Sequence, residues 1–139
     1  MNKKITNQLL LKGKITTCEK IWLKSVKFFY KLFKKNHKKF VNKAFINVTP
    51  LLKVKQLKQK NKRSRLKEFP YIINSTNRIS SALKFFLTKT NNKDEKKMHK
   101  KLVNELLLAT KNTGTSISKK KNLYEYAFVK KKYFYYRWF

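Results

Sequence analysis

Apolar residues recur every three or four positions along most of the chain, a pattern typical of helices that bury one face. The clearest stripe consists of Trp22, Val26, Phe29, Tyr30 and Phe33. Comparable stripes occur in residues 5–12, 40–48, 79–87, 98–109 and 123–139. The pattern therefore predicts about six helices. We expect Trp22, Phe29 and Phe86 in the core because they lie on regular stripes.

Residues that start or stop helices separate these stripes. Gly13 follows the first stripe and suits a left-handed helix end. Thr16 and Glu19 have the spacing of a capping box, so we expect the second helix to start there. Pro50 ends the third helix, because proline disfavours helical backbone at the preceding residue.

Similar signals lie in the second half of the chain. Ser75 or Asn77 is expected to cap the fourth helix, and Gly114 ends the fifth. We interpret the lysine-rich residues Ser116–Asn122 as a connector before the last helix. Glu105 falls within the fifth helix, near many lysines.

Residues 51–73 follow another pattern. Apolar and basic residues alternate from Leu52 to Lys55, and Phe69–Ile73 favours β-structure. Between them, residues 56–67 are nearly all polar, and half of them are basic. We interpret the whole segment as an extended β-hairpin with a long basic tip. From composition alone, a solvated disordered loop is an equal alternative for the basic run.

These segments predict a mainly α fold, with about six helices in a single compact bundle. One extended β-hairpin, residues 51–73, lies between the third and fourth long helices. A single domain covers residues 1–139, in which residues 1–4 form a short basic arm. Residues 123–139 form an aromatic and basic C-terminal helix.

The charge points to a polyanionic partner. The chain has 37 Lys and Arg against 6 Asp and Glu, a formal charge of +31. Such a charge opposes folding by self-repulsion unless a polyanion neutralises it. The 41% apolar content is too high for a purely disordered basic tail. Nucleic acid is the leading candidate, since neutralised phosphates release counterions.

An anionic membrane is the rival partner, because a basic amphipathic helix can lie on a bilayer. Such a protein would concentrate its charge on one amphipathic helix. Here the charge is spread over loops, hairpin and helix ends, which fits a folded RNA better. Tyr135, Tyr136 and Trp138 crowd one helix, so some of them must be exposed or docked on a partner.

The sequence offers little for catalysis, cofactor binding or metal binding. Six carboxylates and 2 Gly leave few groups for an acid–base site or a phosphate loop. His37 and His99 are isolated from other ligand-type residues. We interpret the single cysteine, Cys18, as a small residue on a helix face. We therefore predict a protein that is not an enzyme, with no catalytic residue, cofactor, metal or small-molecule substrate.

Amino-acid usage is skewed. The chain has 11 Phe and 7 Tyr against 2 Gly and 2 Pro, which is typical of an AT-rich genome such as that of an organelle. Its arginines are Arg63, Arg65, Arg78 and Arg137. Arginine forks onto phosphates in a way that lysine does not, so the arginines that remain are of special interest.

Five ordered motifs resemble the bacterial-type small-subunit ribosomal protein seven family. They are Gly13-Lys14 with Glu19-Lys20-Ile21, Asn47-Val48 with Pro50 and Val54-Lys55, Arg78 with Ala82-Leu83, Met98 to Ala109 with Gly114, and Tyr136-Arg137-Trp138. The chain departs from the family in its short N-terminal arm and in a hairpin without the paired glycines.

The resemblance implies a mitochondrial small-subunit protein made from an organelle gene. The chain closes just after Arg137-Trp138, which resembles mitochondrial members more than plastid ones. By resemblance, the protein binds the 3′ major (head) domain of small-subunit rRNA and nucleates assembly of the head. It would contact neighbouring head proteins and reach its hairpin toward the exit-site tRNA and mRNA.

The expected RNA-binding residues lie in the arm, hairpin, connectors and chain end. They are Lys3, Lys4, Lys12, Lys14, Lys53, Lys55, Lys58, Lys60, Lys62, Arg63, Arg65, Lys67, Arg78, Lys119, Lys120, Lys121, Arg137 and Trp138.

Overall fold

The computed structural model describes residues 2–10, 12–33, 37–57, 67–90 and 97–135. Within them the chain forms a helical bundle with one antiparallel strand pair. The helices are α1 Asn2–Leu9, α2 Ile15–Phe33, α3 His37–Val48, α4 Ser75–Thr90, α5 Met98–Thr110 and α6 Thr115–Val129. The strands β1 Leu52–Leu57 and β2 Lys67–Ile72 lie between α3 and α4. A short 3-10 helix, Lys131–Tyr133, follows α6. The predicted mainly α class, with a hairpin after the third helix, is confirmed.

The apolar stripes of the helices meet in one core. Helix α5 lies at its centre and contacts α2, α3, α4 and α6. Trp22, Phe29 and Phe86 are buried, as predicted. The rings of Phe45 and Phe86 meet edge to face, with centroids 5.2 Å apart. Each helix therefore buries its apolar face against another helix of the bundle. None of the described helices is both long enough and apolar enough to span a membrane.

The start of α2 differs from the prediction. The helix begins at Ile15, so Thr16 lies in its first turn and the predicted capping box is wrong. Gly13 has the expected positive φ, 75°, and Lys12 also has a positive φ, 51°. These two residues turn the chain sharply, which lets the helix start directly after Lys14. The Lys14 carbonyl accepts a hydrogen bond from the Thr17 hydroxyl at 2.7 Å.

The residue that caps the start of α4 also differs from the prediction. The Asn74 carbonyl accepts the backbone N–H groups of Asn77 and Arg78, both at 3.0 Å. Asn74 therefore occupies the capping position, and the prediction of Ser75 or Asn77 is wrong. At the end of α3 the prediction is confirmed, since that helix stops at Val48, ahead of Pro50.

The hairpin has the predicted strand pairing. The register runs from Leu52 opposite Ile72 to Leu57 opposite Lys67. Pro70 pairs with Val54, which is allowed because each strand of a two-stranded sheet is an edge strand. The basic tip was predicted at residues 56–67, but the strands extend into it, with Gln56 and Leu57 in β1 and Lys67 in β2. Residues 58–66 of the tip lie outside the described residues.

The turn between α5 and α6 is organised around a buried carboxyl group. Glu105 is fully buried, and its Oε1 accepts three hydrogen bonds from the start of α6. The donors are the Ser116 hydroxyl at 2.7 Å, the Ser116 N–H at 2.8 Å and the Thr115 hydroxyl at 3.1 Å. A negative side chain here also complements the helix dipole.

Gly114 is required by the same turn. It has φ 99°, a backbone conformation that side chains disfavour. A Cβ on this residue would lie 2.9 Å from the Leu108 Cβ and 3.3 Å from Glu105 Oε1. The chain can therefore pass this close to Glu105 only with glycine at this position.

Helix α6 is longer at its start than predicted. The connector interpretation of Ser116–Asn122 is wrong, because these residues form the first turns of α6. The capping by Glu105 explains the difference, since it satisfies N-terminal groups that the lysine-rich sequence does not. The aromatic helix expected at residues 123–139 is helical to Val129, and residues 136–139 lie outside the described ranges. At the other end, Asn2–Lys4 of the expected arm belong to α1.

Cys18 has the structural role predicted for it. It is a buried, free cysteine on α2, and its thiol donates to the Leu9 carbonyl at 3.2 Å. This contact joins the end of α1 to α2.

We predict that Glu105→Ala destabilises the fold by roughly 3 kcal/mol, because it leaves buried donors at the start of α6 without an acceptor. Glu105→Gln keeps an acceptor oxygen and should lose less. Urea unfolding followed by circular dichroism measures both, in sulfate buffer to counter the self-repulsion of the chain.

Glu125→Ala is the control, because Glu125 is exposed on α6. It should change the free energy of unfolding by no more than about 0.5 kcal/mol. An equal effect of the Glu105 and Glu125 substitutions to Ala would refute the capping role of Glu105.

Candidate nucleic-acid interface

Helix α6 holds the strand pair of the hairpin at two points along its length through two tyrosine hydroxyls. The Tyr124 hydroxyl accepts the backbone N–H of Leu51 at 3.0 Å, just before β1. The Tyr126 hydroxyl donates to Glu68 Oε2 in β2. The two hydroxyls join the strand pair to α6 at its base, beside Leu51, and near its tip, at Glu68, so the direction of the hairpin follows the direction of that helix.

Glu68 is the centre of the second contact. Its Oε2 lies 3.4 Å from the Lys130 ammonium, and its Oε1 accepts from the Gln56 amide of β1 at 2.8 Å. Hydrogen bonds from Tyr126, Gln56 and Lys130 lower the pKa of the Glu68 carboxyl group, with Tyr126 contributing most. The same bond raises the pKa of Tyr126. At neutral pH the carboxylate is therefore charged and the tyrosine holds its proton, as this bond requires.

A groove of about 450 Å³ opens between α4 and α6. It is lined by Lys84, Phe85, Lys119, Asn122, Leu123 and Tyr126. Its walls are largely apolar, and one lysine stands on each helix. A groove with aromatic walls and two cations can take a base or sugar between phosphates.

A second groove, of about 430 Å³, lies beside the hairpin and shares Tyr126 with the first. Lys53, Lys55 and Tyr71 are among the residues that line it. A smaller cavity that contacts both Lys53 and Lys84 connects the two regions. We name this continuous surface the hairpin–α6 face and define it by Lys53, Lys55, Lys84, Lys119 and Tyr126.

The chemistry of this face is electrostatic and aromatic. Lysine ammonium groups neutralise phosphates as point charges, and tyrosine rings offer flat surfaces for unpaired bases. Two lysines just after α6 also lie on aromatic rings of that helix: Lys130 is 5.8 Å from the centre of the Tyr126 ring, and Lys131 is 4.5 Å from that of Phe128. Within the described ranges, no three His, Cys, Asp or Glu side chains come together as a metal site. The arrangement is therefore suited to binding a polyanion.

The structure brings together three of the residues predicted from sequence: Lys53, Lys55 and Lys119. Lys120, their neighbour in sequence, is half-buried, and its ammonium donates to the Asn47 carbonyl at 2.7 Å. Burial lowers the pKa of Lys120. Its described contacts join α6 to α3, so they give it a structural role.

Arg78 also has a structural contact. Its Nε donates to the Ile73 carbonyl at 2.7 Å, which fixes the end of β2 on α4. One edge of the guanidinium is thereby engaged. The remaining N–H groups of an arginine are still suited to a phosphate, so its RNA-binding role stays a prediction.

The other predicted residues divide into three groups. Exposed lysines are found on α1, on the turn after it and on α6: Lys4, Lys12, Lys14 and Lys121. For Lys3, in α1, and Lys67, in β2, the structure describes the position of the backbone. The remaining predicted residues lie outside the described ranges: Lys58, Lys60, Lys62, Arg63, Arg65, Arg137 and Trp138.

Sequence reasoning missed Lys84 and the two tyrosines that hold the hairpin. Lys84 follows the apolar pair Ala82-Leu83 of α4 and reads as a solvated helix position. It becomes part of an interface only because α6 packs beside α4. Tyr124 and Tyr126 fall in the predicted aromatic C-terminal helix, and nothing in their local sequence identifies the distant residues, Leu51 and Glu68, that they contact.

Comparison with known proteins gives a consistent result. A family model described as Ribosomal protein S7p/S5e matches residues 1–131. The Small ribosomal subunit protein uS7 of Aliivibrio salmonicida is 27% identical over 135 residues, which covers 97% of this chain and 85% of that protein. The uS7 of Nitratiruptor sp. is 29% identical over 136 residues, with the same coverage. The Small ribosomal subunit protein uS7c of Euglena gracilis is 28% identical over 126 residues, covering 89% of this chain and 78% of that protein.

We predict that the tip end of the strand pair, where Glu68 lies opposite Gln56, loosens at acidic pH. Because the folded-state pKa of Glu68 is lowered, the contact contributes fully above the ordinary carboxyl pKa of about 4.3 and is lost as pH falls through the lower folded value. Amide hydrogen exchange, corrected for intrinsic rates, should show falling protection of β1 and β2 over that range, while the buried face of α2 stays protected.

Glu68→Gln should lower the exchange protection of β1 and β2 already at neutral pH. Protection in this variant should then no longer fall when the pH is lowered. Glu125→Gln, an exposed change on α6, serves as the matched control and should behave as the parent. A hairpin whose protection is the same in parent and Glu68→Gln would contradict the role of this contact.

Proposed function

The chain belongs to the ribosomal protein S7p/S5e family, and on that premise we propose that it works in a mitochondrial small ribosomal subunit, bound to the head domain of the rRNA. The general part of this function follows from the family: the protein is a structural, non-enzymatic constituent of the small subunit that binds rRNA. The finer part concerns the rRNA domain, the hairpin and the organelle.

The observation that carries the proposal is the hairpin–α6 face. Three separate elements, β1, α4 and α6, place lysines around connected grooves with aromatic walls. Lysines on such a surface track phosphates, and this mode of contact reads the shape of a folded RNA more than its base edges. The 3′ major domain of small-subunit rRNA is the partner we propose for it.

Nucleation of head assembly is consistent with the charge of the chain. A formal charge of +31 opposes the compact state in isolation. Binding to rRNA removes this repulsion and stabilises the bundle in the same step. An early-binding protein would thus present a folded surface to neighbouring head proteins only where rRNA is present.

The hairpin is proposed to reach the exit-site tRNA and mRNA. Its strands are held by Tyr124 at the base and by Tyr126 and Glu68 near the tip, while residues 58–66 connect the strand ends Leu57 and Lys67. A strand pair that is held firmly, with a basic tip, can extend beyond the rRNA surface that anchors the bundle. The tip would then contact passing RNA rather than anchor the protein.

A mitochondrial location is supported by composition. Lysine replaces arginine at nearly all basic positions, and the chain has 11 Phe against 2 Gly. This usage is typical of an AT-rich organellar genome. The uS7c of Euglena gracilis is an organellar relative, whereas the other relatives named above are bacterial.

The first prediction concerns the proposed face and location. Tagged protein should cosediment with small subunits from purified mitochondria of its source organism. Lys53→Gln with Lys84→Gln should weaken rRNA binding and reduce the slope of log K against log salt by about 1–2, because each lost phosphate contact accounts for about 0.9.

The control is Lys39→Gln with Lys43→Gln, an equal loss of charge on exposed positions of α3. Circular dichroism of both variants checks that the fold is retained. Recovery in another compartment would refute the location. Identical salt slopes of the two double variants would refute the face.

The second prediction concerns the hairpin tip. Replacing residues 58–66 by Asn-Gly should preserve the strands, because Leu57 and Lys67 are paired and a two-residue turn closes such a pair. Incorporation into subunits should remain, while tRNA retention or reading-frame maintenance changes.

A full-length hairpin with its five basic tip residues changed to Gln is the matched variant; these are Lys58, Lys60, Lys62, Arg63 and Arg65. It separates the effect of charge from that of length. If either variant fails to enter subunits, the tip is a primary rRNA anchor and the proposed role is wrong.

A further inference from the structure

The outer face of α2 carries a straight row of lysines. The inner face is buried through Cys18, Trp22, Ser25 and Phe29. The opposite side carries four lysines, all of them exposed: Lys20, Lys24, Lys27 and Lys31. Their spacing of four, three and four residues places them on one side of the helix, about 6, 4.5 and 6 Å apart along its axis. We name this row the α2 ridge.

The ridge has no counter-charge within its own helix that could balance it. Glu19 is the one carboxylate of α2, and it is exposed beside the start of the row. An ion pair elsewhere in the fold joins Lys130 to Glu68, far along the chain from α2. Like charges at helical spacing repel one another. An anion bound along the ridge would relieve that repulsion.

The ridge faces away from the hairpin–α6 face. Helix α2 packs on α1, α3 and α5, and it does so through its buried side. Helices α3 and α5 also contact α6, so they lie between α2 and α6. An RNA segment on the hairpin–α6 face therefore leaves the ridge uncovered.

We propose that the α2 ridge is a second RNA-binding surface, which binds the phosphate backbone of an rRNA segment other than the one on the hairpin–α6 face. The inference rests on the proposed rRNA-binding function and extends it to the opposite side of the bundle. The protein then clamps two rRNA segments together, with the helical core as the spacer.

The composition of the ridge favours RNA over an acidic protein. Lysine is depleted in protein–protein interfaces, whereas rows of lysine are the usual means of neutralising phosphates. Exposed Leu23 and Phe28 flank the row on its two sides, with 56% and 39% of their surfaces accessible. Apolar flanks of this size can contact riboses beside the neutralised backbone.

The first test removes the charge of the ridge in the full chain. Changing Lys20, Lys24, Lys27 and Lys31 to Gln should reduce the salt slope for small-subunit rRNA binding by about 3–4, on the basis of about 0.9 per phosphate contact. Changing the same four to Arg should leave the slope near that of the parent.

The matched control changes four exposed lysines of α3 and the α5 region to Gln: Lys39, Lys43, Lys97 and Lys111. It removes the same net charge and should reduce the slope by less than half as much. If the ridge and control variants have equal slopes, the ridge has no contact of its own and the inference is overturned.

The second test locates the RNA directly. A hydroxyl-radical source is tethered to the thiol in Lys24→Cys or, separately, in Lys53→Cys; the natural thiol of Cys18 is buried and should not react. The two tethers should cleave different rRNA segments. Cleavage from position 53 without cleavage from position 24 would mean that the ridge faces protein or solvent, which overturns the inference and leaves the proposed function standing. If the parent protein itself fails to bind the rRNA, the proposed function fails with it.

Discussion

The buried carboxyl group of Glu105 holds the start of α6, and the rest of the functional surface depends on where that helix runs. One oxygen accepts hydrogen bonds from Thr115 and Ser116, while Gly114 gives the chain room to approach. Charge in a core is costly unless such bonds compensate it. The arrangement therefore ties the direction of α6 to α5, which lies at the centre of the bundle.

The consequences of this contact extend to the hairpin. Helix α6 carries Tyr124 and Tyr126, which hold the two strands, and Lys119, which lines the groove against α4. The Glu68 carboxylate accepts the hydrogen bond from the Tyr126 hydroxyl, toward the C-terminal end of the same helix. Two of the few carboxylates in a chain of charge +31 thus lie where elements join. In a protein with so little negative charge, these two acidic side chains orient elements that carry the lysines of the hairpin–α6 face.

The aromatic and basic pattern of α6 combines two roles that the sequence does not separate. The tyrosine hydroxyls bind the hairpin, while lysines such as Lys130 and Lys131 lie on rings of the same helix. Tyr126 and Phe128 nevertheless keep 43% and 67% of their surfaces exposed, so a partner can contact them. Positioning of the hairpin and presentation of cations therefore come from the same short segment, which links the geometry of the fold to the proposed rRNA contact.

Much of the fold could be predicted from the sequence because the helices bury one face each, and that requirement is written in local spacing. Trp22, Phe29 and Phe86 lie in the core for this reason, and the alternation near Leu52 predicted the hairpin. The net charge of +31 likewise predicted a polyanion as the partner. The structure alone decided that Ser116–Asn122 is helical, that Lys120 and Arg78 contact backbone carbonyls, and that Lys84 joins Lys53 and Lys119 on one face. These outcomes depend on contacts between residues far apart in the chain, such as Glu105 with Ser116 or Lys120 with Asn47, and local spacing carries no information about which distant groups will meet.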